Sequence, residues 1–389
     1  MKTLDIWPPL PLEIFLERAY VVDIANMIAA LEHRNRVRKI EILDMECSQL
    51  EELASMMQEP FLELTLLCLS TGVPAPALPD MFLGGSAPRL QILDLEFISF
   101  PGFPRLLLSA TDLSELSLQR IPHSGYISPE AMVTCLSALT RLRYLNITFQ
   151  SPASRPDRRG PPPLTRVILP ALVRLEFGGV SEYLEDLVAR IDTPRLHSSD
   201  ISFFHQLIYD IQQLPNFIGH AGSLRSSYHA VVNMGFSNIY IYFYSPDFDS
   251  TLQLRIWCSA VDWQLSSIAQ ICNQLSFLSS IVERLDIQVP YNLVSKLQVD
   301  MEDTQWLELF RLFTAVRTLR IDRRLQSLIV PALQELSGER ATEVFPALAS
   351  LYLGKYPPSG SDQQAIESFV AARQHSDHPV SVHHWAVQR

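Results

Sequence analysis

The chain has 389 residues, 47% of them hydrophobic and 19% charged, the balance of an ordered globular protein. Its formal net charge of −11 argues against a general nucleic-acid binder, which would show a basic face. Cys47, Cys68, Cys135, Cys258 and Cys272 are scattered and never in C-x-x-C spacing, so they read as thiols in a reducing compartment, not as a disulfide frame or zinc site. No run approaches the roughly 18 apolar residues of a membrane span, and the first residues lack a continuous apolar secretion signal. Cytoplasm or nucleus is the expected location.

In chain order, Thr3-Leu4-Asp5-Ile6 reads as the last half of a strand, so a repeat array is expected to start at once. Asp23–Arg36 has the apolar spacing of an amphipathic helix, and Val37, Ile40 and Ile42 form the next strand. Ser48–Gln58 predicts a second helix and Leu64, Leu67 and Leu69 a strand, followed by a proline-rich extended return, TGVPAPALPD. Ala87–Leu118 then states one pattern twice. Leu90, Leu93 and Leu95 take relative positions 1, 4 and 6, and Leu113, Leu116 and Leu118 repeat them. This L-x-x-L-x-L spacing is the signature of a leucine-rich repeat, whose units must stack because none buries its own apolar edge.

Ser128-Pro129-Glu130 carries the cap, first-turn proline and acid of a helix start, and Leu142, Leu145 and Ile147 follow as strand. The stretch 151–163, SPASRPDRRGPPP, predicts a mobile Pro/Arg insertion. Leu172, Leu175 and Phe177 resume the pattern, and Ser181 is expected to cap a helix through Ile191. Leu196 and Ile201 keep the frame with Ser199 between them, and 225–257 is expected to be an irregular β-rich section whose runs Asn238–Tyr244 and Thr251–Trp257 form a hairpin-like excursion. Helices are then predicted over Leu265–Leu278, Thr304–Phe313, Pro331–Glu343 and Asp362–His375. Strands fall at Val282–Ile287, Val316–Ile321, Leu348–Leu353 and Val380–Trp385. The expected fold is α/β, a single leucine-rich-repeat solenoid over 1–389, horseshoe-like, with a concave parallel β-sheet and convex helices.

Positions 3, 5 and 7 of the repeat point away from the leucines because strand side chains alternate. They carry Asp5, Glu41, Asp94, Glu96, Glu115, Glu176, Asp200, Asp286 and Asp322 against Lys39, Arg174, Arg284 and Arg320. Trp7, Tyr144 and Tyr352 add aromatic anchors. The candidate protein-binding face is therefore Asp94, Glu96, Glu115, Gln119, Tyr144, Asn146, Glu176, Asp200, Arg320 and Tyr352, and the expected partner is a protein with a basic or mixed surface.

No nucleotide-binding glycine loop or H-E-x-x-H motif occurs. His123 and Ser124 stand before a helix cap without a nucleophile elbow, and adjacent His383 and His384 face opposite ways in a strand. No cofactor, metal site or catalytic residue is expected.

Several phrases resemble a family of F-box and leucine-rich-repeat-like proteins expanded in mushroom-forming fungi. They include LDIWPPLPLEI at Leu4–Ile14, FLGGSAPRLQ at Phe82–Gln91, GVSEYLEDLVARIDTP at Gly179–Pro194 and QWLELFRLFTAVRTL at Gln305–Leu319. The resemblance implies a protein-binding scaffold that serves as the substrate receptor of a cullin-type ubiquitin ligase, docked through its F-box on a Skp-type adaptor. Leu10, Pro11, Glu13, Ile14 and Phe15 match the opening of an F-box, but the continuation lacks its later tryptophan and runs into a repeat strand. The match is read as chance, and the adaptor is expected only if an F-box lies upstream. The alternative is a repeat remnant or decoy without a ligase role.

Overall fold

A computed structural model describes residues 10–17, 21–100, 103–156, 165–221, 228–247, 250–289, 303–336, 340, 342–354 and 360–385. They form two compact units, Met1–Leu196 and His197–Arg389.

In the first unit β1 (Leu12–Glu17) leads through α1 (Val21–Leu31) to β2 (Val37–Met45), and α2 (Cys47–Met56) leads to β3 (Leu66–Thr71). Then come β4 (Ile92–Glu96), α3 (Phe103–Ser109), β5 (Glu115–Ile121), α4 (Pro129–Leu136) and β6 (Tyr144–Phe149). The unit closes with β7 (Val167–Ile168), β8 (Arg174–Gly179), α5 (Ser181–Val188) and β9 (Ile191–Asp192). Strands β1-β2-β3-β4-β5-β6-β8 lie side by side in that order, each parallel to the next, and β7 pairs with β9 in a separate short ribbon.

The register explains the spacing of the leucines. Ile40, Leu67, Leu93, Leu116, Leu145 and Leu175 are direct neighbours across successive strands, and Ile42, Leu69, Leu95, Leu118, Ile147 and Phe177 form a second row two residues on. Every member of the first row is 0% exposed. Burying each such side chain is worth about 2–3 kcal/mol, and only a neighbour's leucine supplies the apolar wall. The helices pack in sequence, α1 on α2, α3 on α4 and α4 on α5. Ser128 caps α4 by accepting a 3.2 Å hydrogen bond from the Ala131 amide, as its position before Pro129 requires.

Two sequence expectations change here. The first described strand is Leu12–Glu17, paired with β2, whereas Thr3–Ile6 and Trp7 lie outside the described residues. Ser181 is the first helical residue and not the cap: Val180 holds the cap position, and Ser181 is 1% exposed. Of the 151–163 insertion, residues 151–156 are described, and Ser154 among them is buried.

The second unit contains β10 (Ser198–Phe204), α6 (Gln213–His220), β11 (His229–Met234), β12 (Asn238–Tyr244) and β13 (Thr251–Trp257). It continues with α7 (Val261–Gln274), α8 (Ser276–Ser279), β14 (Arg284–Gln288), α9 (Asp303–Phe310), β15 (Thr318–Ile321), α10 (Gln326–Gln334), β16 (Ser350–Gly354), α11 (Gly360–His375) and β17 (Ser381–Trp385). Its strand order is β10-β13-β12-β11-β14-β15-β16-β17. After β10 the chain crosses to β11 and returns as an antiparallel meander, so that β12 opposes both of its neighbours. Two reversals cancel. Strand β13 is therefore parallel to β10, β11 is parallel to β14, and the apolar row stays in register through Leu254, Ile241, Val232, Ile287, Ile321 and Leu353.

The sequence predicts a helix from Pro331, yet α10 starts at Gln326 and holds Pro331 inside it. The proline removes one helical hydrogen bond, but Ile329, Val330, Ala332 and Leu333 are all buried, and that burial outweighs the lost bond. Strand β16 must end in glycine: a Cβ on Gly354 would lie 2.3 Å from Arg323 Cβ and 2.9 Å from its Cα. Among the described residues no helix is long and apolar enough to cross a membrane.

Candidate functional site

Within each unit the pleat that buries the leucines sends the intervening side chains to the other face of the sheet. Helices do not supply a core there, and these residues are mostly half-exposed. In the first unit the middle row of this polar face reads Phe15, Glu41, Cys68, Asp94, Ser117, Asn146 and Glu176 from β1 to β8. A flanking row reads Glu13, Lys39, Leu66, Ile92, Glu115, Tyr144 and Arg174, and Ser70, Glu96 and Gln119 are neighbours on the other side. The structure thus brings together seven of the expected site residues: Asp94, Glu96, Glu115, Gln119, Tyr144, Asn146 and Glu176.

Charges on this face are unevenly matched. Glu13 is 2.9 Å from Lys39 Nζ and Glu96 is 3.4 Å from Arg120, and Glu176 pairs with Arg174, whose guanidinium lies 5.5 Å from the Tyr144 ring centre. Glu41, Asp94 and Glu115 have no such cation among the described residues. Their fields meet at Cys68, whose thiol is pushed up to about 12 by burial first and then by Asp94, Glu41 and Glu115. Burial also raises the carboxyl of Asp94 above the usual carboxylate range, although hydrogen bonds from Ser117 and Gln119 work against it. The phenol of Tyr144 is raised by burial and then by Glu176.

In the second unit Asp200, Arg320 and Tyr352 share a row but not a site. Four strands separate Asp200 on β10 from Arg320 on β15, roughly 24 Å at about 4.8 Å per strand. Arg320 lies 5.0 Å from the centre of the Tyr352 ring, which stacks on His383 at 4.8 Å. Two acids expected on this face are instead taken up within the protein. Asp286 is 5% exposed and receives hydrogen bonds of 3.0 and 2.8 Å from Arg284, with His229 Nε2 at 3.3 Å. Burial alone would raise its carboxyl, but the neighbouring His229 and Arg284 hold it below the ordinary range. Asp322, 5% exposed, accepts from the Arg324 amide at 3.0 Å and from its Nε at 2.8 Å.

The residues that sequence reasoning misses fill the meander. Tyr240, Tyr242 and Tyr244 alternate with Ile239, Ile241 and Phe243, which are buried, so all three tyrosines stand on the polar face. Tyr240 and Tyr242 meet edge to face at 5.2 Å, and Tyr242 stacks on Tyr244 at 5.7 Å. Arg255 on β13 lies 5.8 Å from the Tyr240 ring and 5.7 Å from that of Trp257, which is 44% exposed. The signal was present in NIYIYFY as strict alternation. The antiparallel detour breaks the leucine spacing that would have assigned it to the same face.

His123 and Ser124 do not form a dyad. The imidazole Nδ1 is 3.4 Å from Ser154 Oγ, and Ser124 Oγ is 2.6 Å from Ser99 Oγ. Among the described residues no cluster of three or more His, Cys, Asp or Glu side chains is arranged to hold a metal ion.

No family model matches the chain, and no curated protein sequence matches it. Among solved structures it is similar to the leucine-rich repeat-containing protein LegL7 from Legionella pneumophila, at 12% identity over 92% of this chain and 97% of that one, with a TM-score of 0.30. So loose a superposition adds no weight to the fold or the function. The repeat architecture stands on the register of the leucine rows themselves: the chain is α/β, with parallel strands and helical returns stacked as repeats.

Proposed function

We propose that the chain is a non-enzymatic scaffold that binds a protein partner on the polar faces of its strands. One observation carries this reading. The side of the second unit's sheet away from its core presents Tyr240, Tyr242, Tyr244, Arg255 and Trp257 together, and Tyr, Trp and Arg are the residues that dominate binding energy at interfaces. Carboxylates on the first unit's face complement a partner with basic or mixed charge. The candidate contact residues are Asp94, Glu96, Glu115, Gln119, Tyr144, Asn146, Glu176, Asp200, Arg320 and Tyr352, joined by the aromatic group of the meander. Buried Cys135, Cys258 and Cys272 fit a reducing location, cytoplasm or nucleus.

The finer reading, substrate receptor of a cullin-type ubiquitin ligase, rests on the family resemblance. The segment that matches the opening of an F-box in part, through Glu13, Ile14 and Phe15, is committed to β1 and to its pairing with β2. A Skp-type adaptor therefore belongs to this proposal only through an F-box elsewhere in the protein. The competing reading is a repeat remnant or decoy.

Affinity capture from the source cells, with the wild type beside a Tyr240→Ala/Tyr242→Ala variant, tests the proposal. A prey retained by the wild type and lost by a normally folded variant supports the scaffold, and co-recovery of adaptor and cullin supports the ligase role. Equal retention by both contradicts the aromatic face as the contact surface.

A further inference from the structure

The first unit's polar face holds a hydrogen-bond network with more acceptors than donors. Asp94 accepts at 3.3 Å from Gln119 Nε2, which also donates to Ser117 Oγ at 3.1 Å. Ser117 Oγ accepts a second bond, at 3.3 Å, from Asn146 Nδ2. Among the described residues Asn146 Oδ1 has no donor, and the residue is only 3% exposed. A buried acceptor left unmatched destabilises its surroundings, so a donor arriving from outside has something to gain.

Charge points the same way. Among the described residues Asp94, Glu41 and Glu115 have no cation within ion-pair distance, and their fields converge on Cys68, one strand from Asp94. On the middle row the acids occupy alternate strands, β2 and β4, with Asn146 on β6, so their backbone positions lie roughly 10 Å apart. Side chains that each carry several N–H donors on one extended backbone can follow such a row. From β1 to β8 the row measures roughly 29 Å, the length of about nine extended residues.

We propose that this row is a docking groove for an extended basic polypeptide segment, with one lysine or arginine side chain seated between Asp94 and Asn146 and donating to both. The inference rests on the scaffold reading above and gives its partner a chemistry. Because Asn146 Oδ1 is shielded from water, the incoming cation must displace a neighbour, and Gln119 is placed to yield: its amide bridges Asp94 and Ser117 and is replaced by the stronger, charged donor.

The test is fluorescence anisotropy with labelled nona-arginine, using the whole chain and its Asp94→Asn and Asn146→Leu variants, each checked by thermal melting. Wild type is expected to bind. Asp94→Asn is expected to weaken binding about tenfold and Asn146→Leu about fivefold, while Glu51→Gln/Glu52→Gln on α2 changes nothing. If Asn146→Leu melts early, Asp94→Asn decides alone, because burial already favours a neutral group at that position. Binding that survives both substitutions but is lost in Glu41→Lys/Glu115→Lys keeps the acidic face and overturns the seat between Asp94 and Asn146. Equal affinity for spermine overturns the polypeptide assignment. No binding by the wild type removes the acidic face as a partner surface altogether.

Discussion

The polar faces of the two units differ in how their charges are matched, although the apolar rows beneath them are built alike. In the first unit Glu41, Asp94 and Glu115 have no paired cation among the described residues, whereas in the second Arg284 and His229 share the single carboxylate of Asp286. Aromatic rings follow the same division. The meander stacks Tyr240, Tyr242 and Tyr244 on one strand, while in the first unit Phe15 and Tyr144 stand on strands β1 and β6, apart from one another. Alternation along a strand uncouples the two faces, so a sequence can hold its leucine rows constant and rewrite the chemistry of the exposed side position by position.

If the apolar rows are equivalent, equivalent truncations should cost the same. Leu116→Ala in the first unit and Leu285→Ala in the second, both 0% exposed, are each expected to destabilise their unit by about 3 kcal/mol in denaturant unfolding. A difference of more than about 2 kcal/mol between them, beyond the usual scatter of such sites, would break the equivalence. Asp286→Ala strips a buried acid from both its basic neighbours and is also expected to cost about 3 kcal/mol, with Asp286→Asn recovering part of it. Tyr240→Ala/Tyr242→Ala should leave melting nearly unchanged and weaken a bound partner by about 2 kcal/mol, with little dependence on salt.

Acid separates the units further, because the two carboxyls shift in opposite directions. Asp286 is held below its ordinary range, so its contribution is complete above about pH 4 and is lost as pH falls through its lowered folded value. Asp94 is raised, so its penalty is absent below about pH 4 and develops as pH rises towards its raised folded value. Asp94→Asn is accordingly expected to raise the melting temperature at pH 7 and not at pH 3. A lower melting temperature at pH 7 would show that the carboxylate stabilises the first unit. The salt dependence of peptide binding is the smallest contrast: it should be steep for the acidic row and shallow for the aromatic group.

Leucines at positions 1, 4 and 6 made the strands and their parallel stacking legible, because that spacing has few other solutions. Helix limits were less so. Pro331 argues for a helix start on local grounds, and only the burial of Ile329 and Val330 shows why the helix begins earlier. His229–Met234 escaped notice as a strand because His229 and Asn233 interrupt its apolar residues, and its partner β12 runs the other way. On the polar face, Asp94 and Asn146 were identified from repeat position. Their link through Gln119 and Ser117 depends on which residues of β4, β5 and β6 fall opposite one another, and no feature within one strand reports that. The burial of Asp286 and Asp322 was illegible for the same reason, since their partners' side chains, not their repeat position, decide it.

Carboxyl footprinting with a water-soluble carbodiimide, with and without bound nona-arginine, tests the central claim most directly, because acids lie on both sides of the repeats. Protection of Glu41 and Glu115 on the polar face is expected, with Glu51, Glu52 and Glu130 on the helices labelled equally in both states. Protection of the helical acids, with Glu41 and Glu115 unchanged, would contradict it.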